Sequence, residues 1–199
     1  MPSFADRLES IQQKRQNNLA LLIAPRISRL PPSIQAYDDP FLPYAKAIMN
    51  ATRERACAYV FDLAAYLSIG AAGAVALERS IAYIKTDTLT ILHGPFSGVG
   101  YTSLLDKGSF NADAVTLVNR HDIPAYGTQA DVAAFAVLSG QPQRTEMMNT
   151  CIYWQDAALF TLPSSVGIMQ IRLAGEDILY AGMTDDFAEQ ISAALEKIR

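Results

Sequence analysis

The chain has 199 residues, half of them apolar, which suits a single domain with a sizeable core rather than a disordered or fibrous chain. Its formal net charge is −4 and no Lys/Arg run interleaves with aromatic residues, which argues against nucleic acid as a partner. Two cysteines far apart (Cys57 and Cys151), two histidines and no CxxC pair exclude a disulfide framework and a metal-ligand spacing, and point to buried thiols in a reducing cytosol.

The opening SFADRLESIQQKR is charged before any apolar run begins, unlike a secretory signal. Ser3 is placed to cap a first helix with Asp6 three residues on, and Phe4, Leu8 and Ile11 share one face. Leu19 to Ala24 reads as a buried first strand, and PRISRLPPSIQAYDDP as a proline-rich surface connector. Asp39 followed by Pro40 predicts an N-cap and first-turn pair for a helix running to Thr52. Cys57 to Leu63 reads as the second strand, and Gly73 to Lys85 as a helix with Val75, Ile81 and Ile84 inward. The apolar stretch from Tyr59 to Leu77 is broken by Asp62, Gly70 and Gly73, which predicts a buried strand and helix and no membrane span. Leu89 to His93 is the third predicted strand, a short helix follows Gly100, and Ala114 to Asn119 is the fourth strand. This alternation of strand and helix predicts a parallel α/β fold.

Past Gly140 the rhythm changes. After the polar GQPQRTEMMNT, apolar runs at Cys151–Gln155, Ala158–Leu162, Gly167–Leu173 and Ile178–Ala181 are split by turn-sized gaps. Parallel neighbours need a dozen or more connecting residues, so these runs pair antiparallel or some of them are not strands. Thr184 or Asp185 is predicted to cap a last helix in which Phe187, Ile191, Leu195 and Ile198 repeat at helical spacing.

Few constellations carry chemistry. The run from Gly94 to Gly100 follows a strand and precedes a helix, as a phosphate cradle does, although a tight loop needing small residues explains its glycines more simply. Ser97 with His93 and Asp113 or Asp122 can be drawn as a triad, yet there is no GxSxG elbow and no spacing fixes the third group. His121-Asp122 reads as a surface turn, and Met147-Met148 and Tyr153-Trp154 as core or interface packing.

The segments AYVFDLAAYLSIGAAGAVALERSIAYI and TLTILHGPFSGVGYT, with LALLIAP, DPFLPYAKAIMNAT and FNADAVTL in matching order, resemble the long bacterial form of orotidine 5'-phosphate decarboxylase. The same form resembles the decarboxylase half of chains fused to orotate phosphoribosyltransferase. The likeness covers residues 1–125 and resumes at ILYAG and DDFAEQISAALEKI, read as the last strand and helix. It implies an α/β domain over 1–199 derived from a TIM (β/α)8 barrel, with parallel βα units in the first part. From Arg120 to Glu176 the chain is too short for the family's units, so the barrel is expected to be incomplete, with rearranged antiparallel strands in 141–199.

The resemblance also implies where the family's working residues would stand. An Asp ending the first strand is replaced by Ala24, and a Lys on the second by Val60. The Asp, Lys and second Asp of the third strand and loop are replaced by His93, Pro95 and Gly98. For the phosphate-gripping Arg a gapless match gives Glu176, and a small shift gives Arg172. Cofactor-free decarboxylation needs fixed charges to stabilise a ring carbanion and a Lys to deliver the proton, and such a set fails as a unit. Val60, Phe61, Ala65 and Phe96 are expected to fill the mouth. The implied protein is a catalytically inactive relative from pyrimidine biosynthesis with no cofactor. It would be cytoplasmic and act as a structural or interaction protein, because a shortened barrel has edges to cover. Its partner would be a second copy, or a protein such as a phosphoribosyltransferase. Two alternatives stand beside it. One is a nucleotide- or phosphate-binding module using Ser97, Gly98, Gly100 and Arg172; the other is an enzyme of another class seeded by His93, Ser97 and Asp62.

Overall fold

The computed structural model describes residues 2–126, 131–139, 149–154, 157–165 and 167–198. Eight strands close into a barrel in chain order: β1 (Leu19–Ile23), β2 (Ala58–Asp62), β3 (Leu89–Phe96), β4 (Ala114–Leu117), β5 (Ala133–Ser139), β6 (Thr150–Trp154), β7 (Ala157–Ser164) and β8 (Gly167–Ala174). Neighbours from β1 to β6 pair parallel, β8 pairs parallel with β1, and β7 runs against both of its neighbours. The helices are α1 (Phe4–Arg15), α2 (Pro32–Gln35), α3 (Phe41–Thr52), α4 (Leu63–Leu67), α5 (Ala71–Ile84), α6 (Ile123–Tyr126), α7 (Glu176–Leu179) and α8 (Phe187–Glu196).

The period-two alternation of each strand divides the apolar residues into two cores. Ala20, Ala58, Val60, Ile91, Ala114, Phe135, Cys151, Phe160 and Ile171 point into the barrel. Leu21, Tyr59, Phe61, Leu92 and Val115 point outward, under α3, α5 and α8. The amino end of the barrel is stoppered by α1, whose capping box between Ser3 and Asp6 forms as the sequence predicts. Phe4 meets Phe135 edge-on at 5.9 Å, and Leu8 is fully buried in the interior cluster. Arg15 of α1 donates to the carbonyls of Ala56 and Asp87 and to the Thr88 hydroxyl. Arg7 pairs with Asp113 at 2.8 Å, and the buried Asp113 carboxylate also accepts from the Thr90 N–H and hydroxyl.

The shortening does not leave the ring of strands open. Only two residues separate β6 from β7 (Trp154 opposite Ala157) and β7 from β8 (Ser164 opposite Gly167), where two crossover helices would otherwise stand. Antiparallel neighbours need only a turn, so eight strands close in 199 residues where a complete (β/α)8 barrel takes ~250. The expected edges are therefore paired.

Several local expectations change. Ile178–Ala181 is not the last strand: Gly175 ends β8, Glu176–Leu179 forms a helical turn, and β8 closes on β1 through Leu19 opposite Arg172. The strand β5, an alanine-rich run with no visible alternation, escaped the sequence reading. Pro40 already has helical backbone angles, so it precedes α3 as the uncapped first position and Asp39 does not cap. The last helix starts after Asp186, whose carboxylate is held by Thr184 and Gln190, in place of a cap at Thr184 or Asp185. Val75 is exposed because the inward face of α5 is Gly73, Ala76, Leu77, Ser80, Ile81 and Ile84. The proline-rich connector buries Leu30 and Ile34 and is not wholly superficial. Met147, Met148 and Gln155 lie outside the described residues, as do the side chains of Pro95, Tyr153 and Trp154.

Candidate functional site

In a barrel of this kind the loops after the carboxyl ends of the strands form the working face. Ala24 follows β1 there, buried and apolar. Val60 sits in β2 with its side chain in the interior core and no exposed surface. Phe61, one residue on, faces the opposite way and packs on Tyr66 of α4, and Ala65 also lies on the outer layer, so neither fills the mouth as the sequence reading expected. Phe96 also belongs to the outer cluster. A Cβ on Gly94 would stand 3.0 Å from Phe96 Cζ and 3.2 Å from Leu63 Cβ, so glycine is what permits this approach. The Phe96 ring lies against Tyr101 at 5.2 Å.

Among the described residues, the ionisable groups left in the mouth are few and engaged. Asp62 ends β2, and its Oδ1 accepts the Ala65 N–H at 2.8 Å, capping α4. Its register partner on β3 is His93, whose Nδ1 lies 2.9 Å from Thr116 Oγ1 on β4. Burial holds the His93 imidazole below its ordinary titration range, and the nearby Asp62 carboxylate offsets part of that effect. Gly98 takes positive φ (73°), its N–H donates to Asp122 Oδ2 at 2.9 Å, and its carbonyl accepts from the Tyr126 hydroxyl at 2.7 Å. An anion at this loop would therefore compete with a carboxylate already on the Gly98 amide. Ser97 and Gly100 are exposed on the same loop.

On the far side of the mouth, Arg26 and Arg29 both pair with Glu176, and the Arg29 guanidinium lies 3.7 Å above the Tyr180 ring. The Tyr180 hydroxyl donates to the Ala24 carbonyl at 2.6 Å, and burial pushes its pKa up to about 12. These contacts lash the loop after β1 to the loop after β8 across the closing seam. Glu176 thus has two cationic partners where a phosphate-gripping arginine was sought.

The predicted site residues do not all converge. Ser97, Gly98 and Gly100 share one loop at the mouth, but Arg172 stands opposite Leu19, the first residue of β1, on the outer wall. There it lines a groove of ≈450 Å³ with Leu159, Gln170 and Asp177. Asp113, drawn into a triad with Ser97 and His93, lies at the amino end of the barrel under Arg7. Asp122 is near the loop but spends its carboxylate on Gly98, and His121 is exposed on the 3-10 turn Arg120–Asp122. Thr116 was missed; the only signal for it was its place two residues from inward-facing Ala114. Among the described residues no group of three His, Cys, Asp or Glu side chains could hold a metal ion, and no helix is long and apolar enough to cross a membrane.

No family model matches the chain. Among curated proteins it is similar to the orotidine 5'-phosphate decarboxylase of Parabacteroides distasonis, 31% identical over 112 residues that take in 53% of this chain and 40% of that protein. The enzyme of the same name from Porphyromonas gingivalis is 34% identical over 98 residues, 46% of this chain and 36% of that protein. The match thus covers well under half the length of these relatives. Among solved structures the fold is shared with Leishmania donovani OMP decarboxylase at a TM-score of 0.58 and 21% identity, over 71% of this chain and 55% of that one. An assigned orotidine-monophosphate decarboxylase of Toxoplasma gondii gives 0.61 and 21%, over 75% and 53%. At such identities the solved structures speak for the fold alone.

Proposed function

We propose that this distant, shortened relative of orotidine 5'-phosphate decarboxylase is a non-catalytic cytoplasmic barrel whose role is to assemble, with a second copy of itself or with a protein partner such as a phosphoribosyltransferase. The observation that carries the reading is Val60. The position that the resemblance gives to a lysine holds an apolar side chain sealed among Ala20, Ala58 and Ile91. A valine can neither stabilise a carbanion nor return a proton. Ala24 and Gly98 remove two further charges, and His93 stands where an acid would. Exposed Val99, Tyr101 and Val118 on the loops after β3 and β4 offer apolar surface for a partner at the mouth.

The test has two parts. The purified chain is incubated with orotidine 5'-phosphate and UMP formation is followed; turnover above the uncatalysed rate refutes the non-catalytic reading. Light scattering should give at least twice the chain mass, alone or with the partner, and a persistent monomer that binds no phosphoribosyltransferase refutes assembly. UMP should not raise the melting temperature, since a ligand held only by the folded state stabilises it by mass action.

A further inference from the structure

The ladder between β3 and β4 is interrupted at the mouth. Leu92 opposes Val115 and Phe96 opposes Leu117, so β3 carries extra residues, and His93, Gly94 and Pro95 form a bulge. The Thr116 side chain bridges the gap. Its Oγ1 accepts the Gly94 N–H at 3.3 Å and lies 2.9 Å from His93 Nδ1. A threonine hydroxyl has one proton to give and lone pairs to receive with. The Gly94 amide can only donate, so it occupies a lone pair. Thr116 is fully buried, and His93 Nδ1 is the acceptor that its proton meets among the described residues. An unprotonated Nδ1, with the ring proton on Nε2, is the tautomer that satisfies both Thr116 contacts. Protonating Nδ1 would turn an acceptor into a donor, and the buried hydroxyl would face two donors with its own proton stranded.

We propose that the Gly94–Thr116–His93 hydrogen-bond chain is an acid-sensitive catch: with His93 neutral it closes the β3–β4 bulge, and with His93 protonated it opens and loosens the segment from Gly94, at the end of β3, through the 3-10 helix Val99–Leu105. Of the groups packed around β3, Asp62 on β2 is a charge that faces His93 and favours protonation, while β4 presents the non-ionisable Thr116. On the helices, Tyr66 of α4 bonds Ser80, Tyr83 of α5 bonds Asn50, and Glu78 and Arg79 of α5 are exposed. Burial opposes the imidazolium, in the same direction as the hydrogen-bond argument. The catch is independent of whether the mouth meets a partner, and its readouts do not require assembly or activity.

The test uses nitrogen-15 spectra of the two imidazoles, assigned with His121→Gln, together with amide hydrogen exchange corrected for intrinsic pH dependence. At pH 6.5 His93 should be mostly neutral with its proton on Nε2, and as it titrates at lower pH the amides from Gly94 to Leu105 should exchange at least tenfold faster. His93→Gln, whose side-chain carbonyl can still accept the Thr116 proton, should remove that pH dependence. A proton on Nδ1, a titration at or above the ordinary histidine value, or exchange that stays flat while His93 titrates would each overturn the proposal. If the variant fails to fold, the wild-type tautomer and exchange profile decide the matter alone.

Discussion

Replacing Val60 by lysine tests the sealed interior directly. The side chain has no exposed surface and points among apolar neighbours, so an ammonium there loses its hydration. The native state would hold the lysine neutral at pH 7, whereas the unfolded chain keeps it charged with a pKa near ~10.4. At about 1.4 kcal/mol per pH unit, holding it neutral at pH 7 costs about 5 kcal/mol. Forcing the longer stem into a filled core adds about 1–3 kcal/mol. The sum approaches the whole stability of a typical domain, about 5–15 kcal/mol. The variant should show a urea midpoint far below wild type at pH 7. Because the unfolded state binds the proton that the native state lacks, its stability relative to wild type should rise between pH 7 and about 10 by up to about 1.4 kcal/mol per pH unit. Val60→Met, as a packing control, should lose about 1–3 kcal/mol with no pH slope. A lysine variant as stable as wild type, with a flat pH profile, would mean that water reaches this position, and the argument for a closed, disabled mouth would fail.

Other parts of the structure make further claims. Asp113→Asn strips the charge that Arg7 and Lys85 face beneath the barrel, and should cost about 3 kcal/mol in chemical denaturation; a loss below about 1 kcal/mol would show that the cluster does not hold α1 in place. Gly73→Ala would ordinarily favour a helix by up to about 1 kcal/mol, but here a Cβ would overlap the Tyr66 carbonyl oxygen, so thermal melting should fall, and a rise would disprove the close crossing of α4 and α5. Cys57 is buried with its pKa pushed up to about 12, and Cys151 is also buried, so neither thiol should react with a disulfide reagent at pH 8 until the protein is unfolded. Rapid labelling of the native protein would contradict that burial.

The chain's own text was enough for whatever depends on near neighbours. The Ser3 cap, the face of α1 and the strand–helix rhythm through β4 could all be read there, because capping and helical periodicity are local properties. The antiparallel pairing near the end also followed, from gaps too short for a crossover. Other features were hidden. Barrel strands are buried on both sides, so β5 shows no alternation, and nothing in ILY separates a strand from the helical turn it forms. Which face Arg172 takes depends on its register against Leu19, more than a hundred residues away, and a slip of one residue would have turned it inward. The closure of the ring, the use of Thr116 to bridge a bulge and the meeting of Glu176 with Arg26 and Arg29 arise in the same way, from pairings between distant segments whose free energy is shared across the whole assembly of strands.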